Sequence, residues 1–581
     1  MKLFRYLLGC CLFLAALSSA AEVHIREIGL QGYIDFSGNP QQLRIEVSNP
    51  SAGPESFVLH IRQKYSGREK SALDYKVDLQ GHESRLLALA LMFVSDGKLT
   101  VEQIASNGAV ISKDEQNTPR APLDLVAVVC ATQEICSAVS DAIRSAATVE
   151  DRNIKERQLK VLLLTEPPQN WFAYAPVHTL IVAGPVKDQA ARDAIENFTR
   201  FGGHLIIAAD QAPRDFLAPY RVADPREVGI GRGTLRSVNS ATGPQLRQLF
   251  SPGENTHTPD TANLINLVFS KEIDSGTLLQ WVGKQFVFPR LRWMIGWMLV
   301  YILLIGLLNF FILRRIGRVE LGWLTVPAIA IVFAALFYFM GGRGKMTHFT
   351  LDQATVCYMD DKSPVGVAEH GFRVASPQVR DLVFQVPSSA VISSAGQDPL
   401  FRASDVAAGI WDDDTRQRTK IPEMFVDSAQ HVPLEMLRLS FHDLEFRTVH
   451  QFAGTVTMKD GILMNNTGHD FSQAALVDFR NRKFYELGPL PAGNKIQPFS
   501  RPTGDLSYSN HLRSFSPDYH MQGAFTLREF LESETFSSNL STRRLMFIGF
   551  TTQPLLTGQL EGITPDAKTY TLFEVTMENG Q

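Results

Sequence analysis

Cysteine is scarce in this chain, with five in 581 residues. Cys10 and Cys11 fall in the N-terminal segment, which leaves Cys130, Cys136 and Cys357 for the rest. So few exclude a disulfide-framework fold. Cys130 and Cys136 are close enough in sequence to pair in an oxidising compartment, and two separately buried thiols fit the same spacing. An excess of charge of one sign is lacking too. Lys and Arg number 56 against 60 Asp and Glu, for a formal net charge of −4. Nothing resembles the basic face or tail of a nucleic-acid binder. No repeat of solenoid length and no low-complexity tract occurs.

Signatures of catalysis are also wanting. There is no Gly-x-Ser-x-Gly elbow, which removes the usual entry to serine-hydrolase chemistry. The fourteen histidines are scattered without metal-ligand spacing, His442 and His450 standing eight apart in a β or loop segment. "WDDDT" (411–415) and "YMDDKS" (358–363) concentrate carboxylates without the Gly-and-Glu framework of a calcium loop, and they read as solvated loops. "GIGRGTL" (229–235) precedes a strand instead of opening a helix, so it reads as a turn and not as a phosphate loop. These observations predict no catalytic residue, no metal and no cofactor.

Long apolar runs are what the sequence does have. Residues 1–20 carry Lys2 and Arg5, an apolar stretch from Leu7 to Leu17, then Ser18, Ser19 and Ala20, which is the pattern of a secretory signal peptide. Residues 295–313 and 321–340 are two further charge-free runs. At about 1.5 Å of rise per residue, such lengths just cross a hydrocarbon core of roughly 30 Å. Trp293, Trp297, Trp323 and Tyr338 stand where interfacial anchors do. Residues 293–341 therefore read as a transmembrane hairpin.

Arg314, Arg315 and Arg318 lie in its connecting loop, 314–320. Basic residues also flank the outer ends, so the signal peptide decides the direction. The loop faces the cytoplasm, and both large soluble parts face outward. The expected address is the inner (plasma) membrane, crossed twice. Neither span contains a charge, which argues against a transporter acting alone.

Three soluble regions differ in character. Residues 22–120 hold short runs such as "QLRIEVSN", "ESFVLHIRQ" and "RLLALALMFV" between turn residues, the pattern of an immunoglobulin-like β-sandwich. Residues 121–270 alternate continuous apolar strands ("LDLVAVVC", "LKVLLLT", "HTLIVAG", "HLIIAAD") with helix-compatible segments. That alternation predicts a flavodoxin-like α/β domain with a mostly parallel sheet. In its helix 188–201, Ala191, Ala194, Ile195, Phe198 and Phe201 fall on one face. Residues 345–581 return to β patterning and predict a C-terminal β-sandwich region, with a hairpin of strands 474–479 and 483–487 turning at Asn481 and Arg482.

"HTLIVAGPVKDQAARDAIENFTRFGGHLIIAAD" resembles the core of the class I glutamine amidotransferase-like domain, over roughly 120 residues. Active members carry a cysteine on a Gly-flanked elbow with a later histidine and acid. Here Cys130 ends a strand in "VVCATQE", without the glycines, so the resemblance implies a catalytically degenerate domain used for binding. "GILMNNTGHDFSQAALVDFRNRKFYELGPLPAGNKI" resembles a stretch in large bacterial membrane-anchored proteins of unknown role. That group shares the whole layout of signal, β domain, amidotransferase-like domain, membrane hairpin and β domain. Relatives accompany MoxR-type ATPases, Bat-like von Willebrand factor A proteins or ABC exporters, which implies a membrane or envelope protein as partner.

Asp210, closing the strand "HLIIAAD", sits where parallel sheets place ligand-facing groups, and it equally suits a helix cap. The sequence thus favours a non-enzymatic extracytoplasmic scaffold or accessory subunit. Two alternatives stand beside it. One is an accessory component of an exporter or transmembrane signalling complex, with Arg314, Arg315 and Arg318 as a contact. The other is an extracytoplasmic hydrolase or amidotransferase built on Cys130, His204 and Asp210, although His204 begins its strand and Asp210 follows the end of the same one.

Overall fold

The computed structural model describes residues 22–34, 39–49, 51–65, 68–93, 97–105, 107–118, 124–147, 159–208, 227–240, 291–342, 348–398, 424–436, 440–479, 483–498, 502–505 and 545–577, with a few isolated positions such as Tyr220, Leu278 and Leu279. The chain is a multidomain, predominantly β structure with few helices. The strand alternation of residues 22–118 does build two facing sheets. One contains Glu22–Ile28, Gln41–Ser48 and Ser84–Leu91. The other contains Arg68–Leu79, Glu55–Tyr65, Lys98–Ala105 and Val110–Asn117. The outer edge of Glu22–Ile28 is closed by side chains from the facing sheet. Ser112 and Asp114 accept from the backbone N–H groups of Val23 and Ile25, and Gln116 donates to Ile25 O. Side-chain bonds of this kind blunt an edge that would otherwise invite pairing.

The second of these sheets does not end with the N-terminal segment. Met424–Val426 pairs in parallel with Leu73–Tyr75 on Arg68–Leu79. Ala429–Met436, Arg380–Pro387 and Gln559–Leu560 follow, making one eight-stranded sheet from both ends of the chain. The core agrees with the backbone. Ile45, Phe57, Leu59 and Val101 are buried in one apolar cluster with Phe372, Phe384, Val432 and Phe446.

The C-terminal region is dominated by a nine-stranded sheet in the order 391–398, 440–451, 365–376, 350–360, 566–577, 545–551, 471–478, 483–490, 504–505. Its pairs are antiparallel except at the centre, where Thr350–Asp360 lies parallel to Asp566–Met577. Every residue of Thr350–Asp360 and of Leu545–Thr551 is buried, so both faces are covered there. The hairpin expected near 474–487 forms between Phe471–Asp478 and Lys483–Leu490, with Asp478 opposite Lys483.

The "NNTG" and "LGPLPAG" stretches are the two halves of a clasp. Asn465 is fully buried, and its Nδ2 donates to His469 O (2.8 Å) and Leu490 O (3.1 Å). Its Oδ1 accepts from the backbone N–H (3.1 Å) and hydroxyl (2.8 Å) of Thr467. Gly493, at φ 76°, donates its N–H to Asn465 O at 2.7 Å. We predict that Asn465→Ala destabilises the protein by about 2–4 kcal/mol, because buried partners lose their bonds at about 1–3 kcal/mol each. Chemical denaturation measures this, and a loss below half a kcal/mol would show the clasp to be dispensable.

Residues 124–238 form their own six-stranded sheet, in the order 227–230, 233–238, 204–208, 179–183, 124–130, 159–164. All but Glu227–Ile230 are parallel. Numbered among themselves, the parallel strands run 2-1-3-4-5, the doubly wound order. Helices Gln133–Ala147 and Gln189–Arg200 cover it. Ala191, Ala194, Ile195 and Phe198 form the buried face of the second helix, and Phe201 packs instead against the C-terminal sheet.

Helix Leu291–Leu303 passes through a π-helical turn, Leu304–Leu308, into Asn309–Ile316. Helix Gly322–Gly342 packs back along it, with Phe333 against Tyr301 (5.2 Å between ring centroids) and Trp297 (6.4 Å). Among the described residues, Gly296–Ile316 is long and apolar enough to cross a membrane; the described apolar part of the second helix is Gly322–Leu336. The first helix does not stop at Leu313. The helix continues through Arg314 and Arg315, whose charges complement its C-terminal dipole, and Gly317 ends it at φ 73°. Only Gly317 and Arg318 separate it from the 3₁₀ turn Val319–Leu321.

Candidate functional site

In a 2-1-3-4-5 sheet the place for a ligand is the crevice between the first and third strands, at their carboxyl ends. Here those ends are Cys130 and Ala183. Cys130 is joined to Cys136 in the first turn of the following helix, with Cα atoms 5.6 Å apart, so neither is a free thiol. A Cβ on Gly184 would lie 2.5 Å from Ala131 N, which means that the two loops touch backbone to backbone. The adjoining helix N-termini are capped from within the chain. Asp188 accepts from the N–H of Ala190 (3.2 Å) and from Gln169 Nε2 (2.7 Å). Thr132 Oγ1 accepts from the N–H of Ile135 at 3.4 Å. A carboxylate therefore occupies one of the two positions where an anion would be drawn in.

Asp210 lies outside the described residues. His204 is found at the amino-terminal edge, opposite Thr179 at the start of its neighbour, with its Nδ1 2.7 Å from Thr234 Oγ1. Cys130 and His204 stand at opposite edges of the sheet and are not brought together. Arg314, Arg315 and Arg318 are exposed at the end of the helical pair.

The densest chemistry lies instead where the amino-terminal edge of the α/β sheet meets the C-terminal sheet. Arg200, 1% exposed, ends the helix Gln189–Arg200. Its Nη2 donates to Tyr220 Oη (3.0 Å), Ser363 Oγ (3.0 Å) and Glu196 Oε2 (3.2 Å). Its Nε is 3.8 Å from Asp360 Oδ2. Asp360, 2% exposed, accepts the Tyr220 hydroxyl (3.3 Å) and the backbone N–H groups of Lys362 and Ser363 (3.0 and 2.8 Å). A second cluster centres on buried Glu369, which accepts from Arg232 (2.9 Å) and pairs with Arg447 (3.1 Å). Arg447 also donates to Asn39 (2.8 Å) and lies over the Phe201 ring. Three regions of the chain thus meet around the Glu369–Arg447 pair.

Burial raises the pKa of Asp360, and Arg200 only partly counters it. Burial also pushes Glu369 upward, but Arg232 and Arg447 together outweigh it and hold the carboxyl below its usual range. The carboxylates of "YMDDKS" are thus not all in a solvated loop. Asp360 ends a strand covered on both faces, and the apolar residues preceding it ("ATVCYM") were the available signal. Arg200, Arg232 and Glu369 had none, because their partners are distant in sequence.

On the other face of the nine-stranded sheet, a row of polar groups crosses the core. His370 Nδ1 is 3.0 Å from Thr355 Oγ1 and its Nε2 is 2.6 Å from Thr448 Oγ1, which is 2.6 Å from His450 Nε2. Burial, then the neighbouring His450, sets the pKa of His370 well below its ordinary value, and burial lowers that of His450. Both groups are kept neutral in the fold. The unfolded chain takes up these protons near pH 6.5, so their contribution is complete above that pH and is lost as pH falls toward the folded pKa values. We predict that stability declines from pH 7 to 5.5, by up to about 1.4 kcal/mol per pH unit for each histidine. Thermal denaturation across that range should show a shallower decline for His370→Gln; parallel slopes would remove His370 from the account.

Among the described residues, no group of three or more His, Cys, Asp or Glu is placed to hold a metal ion. An open groove of about 720 Å³ lies on the outer face of the N-terminal sheet. Its charges are already paired as Arg26–Glu46 and Arg44–Glu27.

Comparison with protein-family models gives no match, and comparison with curated proteins gives none. Solved structures with local likeness include glycosidases. A β-glucosidase from Kluyveromyces marxianus is 16% identical over 18% of this chain and 14% of its own, at a TM-score of 0.13. A β-glucosidase from Listeria innocua is 14% identical over 18% and 16%, at 0.14. The β-glucuronidase 2 of Bacteroides uniformis is 8% identical over 31% and 25%, at 0.15. The chain matches a quarter or less of the length of each of these enzymes, and the likeness carries no argument about activity.

Proposed function

We propose that the protein is a non-enzymatic scaffold or accessory subunit, anchored in the inner membrane by the helical pair and presenting all its large parts on the outer side. The pairing of Leu73–Tyr75 with Met424–Val426 carries this reading. These strands lie on opposite sides of the helical pair in sequence, yet they belong to one sheet and one apolar core. A sheet cannot pair through a bilayer, so a helical pair that enters the membrane here leaves and returns on the same face. Exposed Met298, Leu299, Phe310, Phe311, Trp323 and Ile331 suit lipid. The Cys130–Cys136 pairing suits an oxidising compartment and withdraws the thiol that an amidotransferase-like enzyme would need. The degenerate α/β domain then serves binding.

Three exposed arginines at the tip of the pair favour a second reading, in which this tip contacts an exporter or signalling component across the membrane. Mild-detergent recovery of the tagged full-length protein, beside Arg314→Glu/Arg315→Glu/Arg318→Glu, tests both. Protease accessibility would verify topology. The scaffold reading expects a stoichiometric membrane partner. Its loss in a correctly inserted variant makes the tip a contact. A protein that emerges alone sinks the proposal.

A further inference from the structure

We infer that the α/β module is a releasable element, latched to the rest of the exterior by the Arg200 and Glu369 clusters and able to swing free as one piece. Three observations carry this. The six-stranded sheet contains strands from residues 124–238 only, whereas the N-terminal sandwich shares its sheet with the C-terminal region. Among the described residues, detaching the α/β module therefore breaks no strand pairing, while detaching the N-terminal sandwich would tear a sheet. The junction is also rich in buried charge. Arg200 and Arg232 stand on the module and Asp360, Ser363 and Glu369 on the body. Groups of this kind regain their hydration on opening, which offsets much of the attraction lost. Among the described residues, Phe201 is the module's apolar side chain packed against the C-terminal core.

Among the described residues, the ties to the N-terminal sandwich are side-chain contacts that can part without unfolding. Gln31 donates to Leu163 O (2.9 Å), Lys160 lies over the Tyr33 ring, and Leu30 is buried among module residues. Closed, the module hides two arginines against two carboxylates. Open, it presents Arg200 and Arg232 on the module, and on the body Asp360 and the Glu369–Arg447 pair. The equilibrium is a means of controlling access to both.

Thiol alkylation of the full-length protein tests this. Ser363→Cys places a reporter in the latch, and Cys357, fully buried in the C-terminal sheet, reports opening of the body itself. Release predicts that the reporter at 363 is alkylated at least tenfold faster than Cys357. Adding Arg232→Met, which touches neither thiol, should speed the reporter at least tenfold further and leave Cys357 unchanged. Equal rates for the two thiols, or a reporter indifferent to Arg232→Met, would overturn the inference.

Should Ser363→Cys itself disturb folding, a lock provides the second measurement. A Cβ at Gly229 would lie 3.1 Å from Thr576 Cγ2, so Gly229→Cys/Thr576→Cys can be oxidised across the seam. Hydrogen exchange in peptides covering 196–203 and 360–370 should slow on oxidation, with Gly229→Ser/Thr576→Ser as reference. No slowing means that the native module does not open.

Discussion

A chain ending at residue 565 is expected to yield no folded β assembly. The strand it lacks, Asp566–Met577, is the last in sequence and sits at the centre of the nine-stranded sheet, paired along its length with Thr350–Asp360 and with Leu545–Thr551. Leu572, Phe573 and Val575 are fully buried, and they divide between the apolar clusters on the two faces. Removing the strand leaves two adjacent strands with open edges and two cores without a wall. Folding normally leaves a margin of only about 5–15 kcal/mol, and a single large apolar deletion costs about 3–5 kcal/mol. The truncated protein should show no cooperative unfolding transition and should be cleaved throughout residues 348–565 by dilute protease. A protected fragment of native size would mean that the sheet closes without its central strand.

Phe384→Ala should be the most damaging single substitution away from the junction. Phe384 is fully buried between Phe372 (5.0 Å between centroids) and Phe446 (6.1 Å). A Cβ on Gly558 would come within 2.3 Å of its ring, so the pocket has no slack on that side and fits this side chain closely. The expected loss is about 3–5 kcal/mol, from transfer and cavity terms together. Its distribution matters as much as its size. The cluster that holds Phe384 also holds Ile45, Phe57 and Val101, so exchange protection should fall together in strands 41–48, 55–65 and 380–387. Weakening confined to the C-terminal strands would argue that the N-terminal sandwich is an independent unit.

Local pattern carried much of this fold. Continuous apolar strands and one amphipathic helix were enough to read the parallel sheet, because each strand is buried on both faces and each helix on one. The start of a strand at His204 was legible for the same reason, and so was its distance from the carboxyl edge. What the sequence concealed is long-range. Met424–Val426 is three residues long and meets a partner some 350 positions away, so nothing in its own composition announces it. The parallel pairing of Thr350–Asp360 with Asp566–Met577 is equally silent. Asp360 reads as a loop carboxylate until Arg200 and Tyr220 are brought to it by the packing of a separate module. Charge compensation across modules has no period, and period is what a sequence displays.

The shared eight-stranded sheet also sets a timetable. A polypeptide grows at about 5–20 residues per second, so the roughly 350 residues between strand 68–79 and its partner near 424 take about 20–70 s to appear. On the proposed topology, the N-terminal half-sandwich is exported during that interval, with an apolar face and a strand edge waiting for partners still to be made. On the same proposal the helical pair is inserted in that interval, which would fix the nascent body beside the bilayer before its core can close. Closure of that shared core therefore waits on synthesis of residues 380–436, and if the proposed topology holds, a chaperone on the outer side of the membrane would find its substrate in the waiting face.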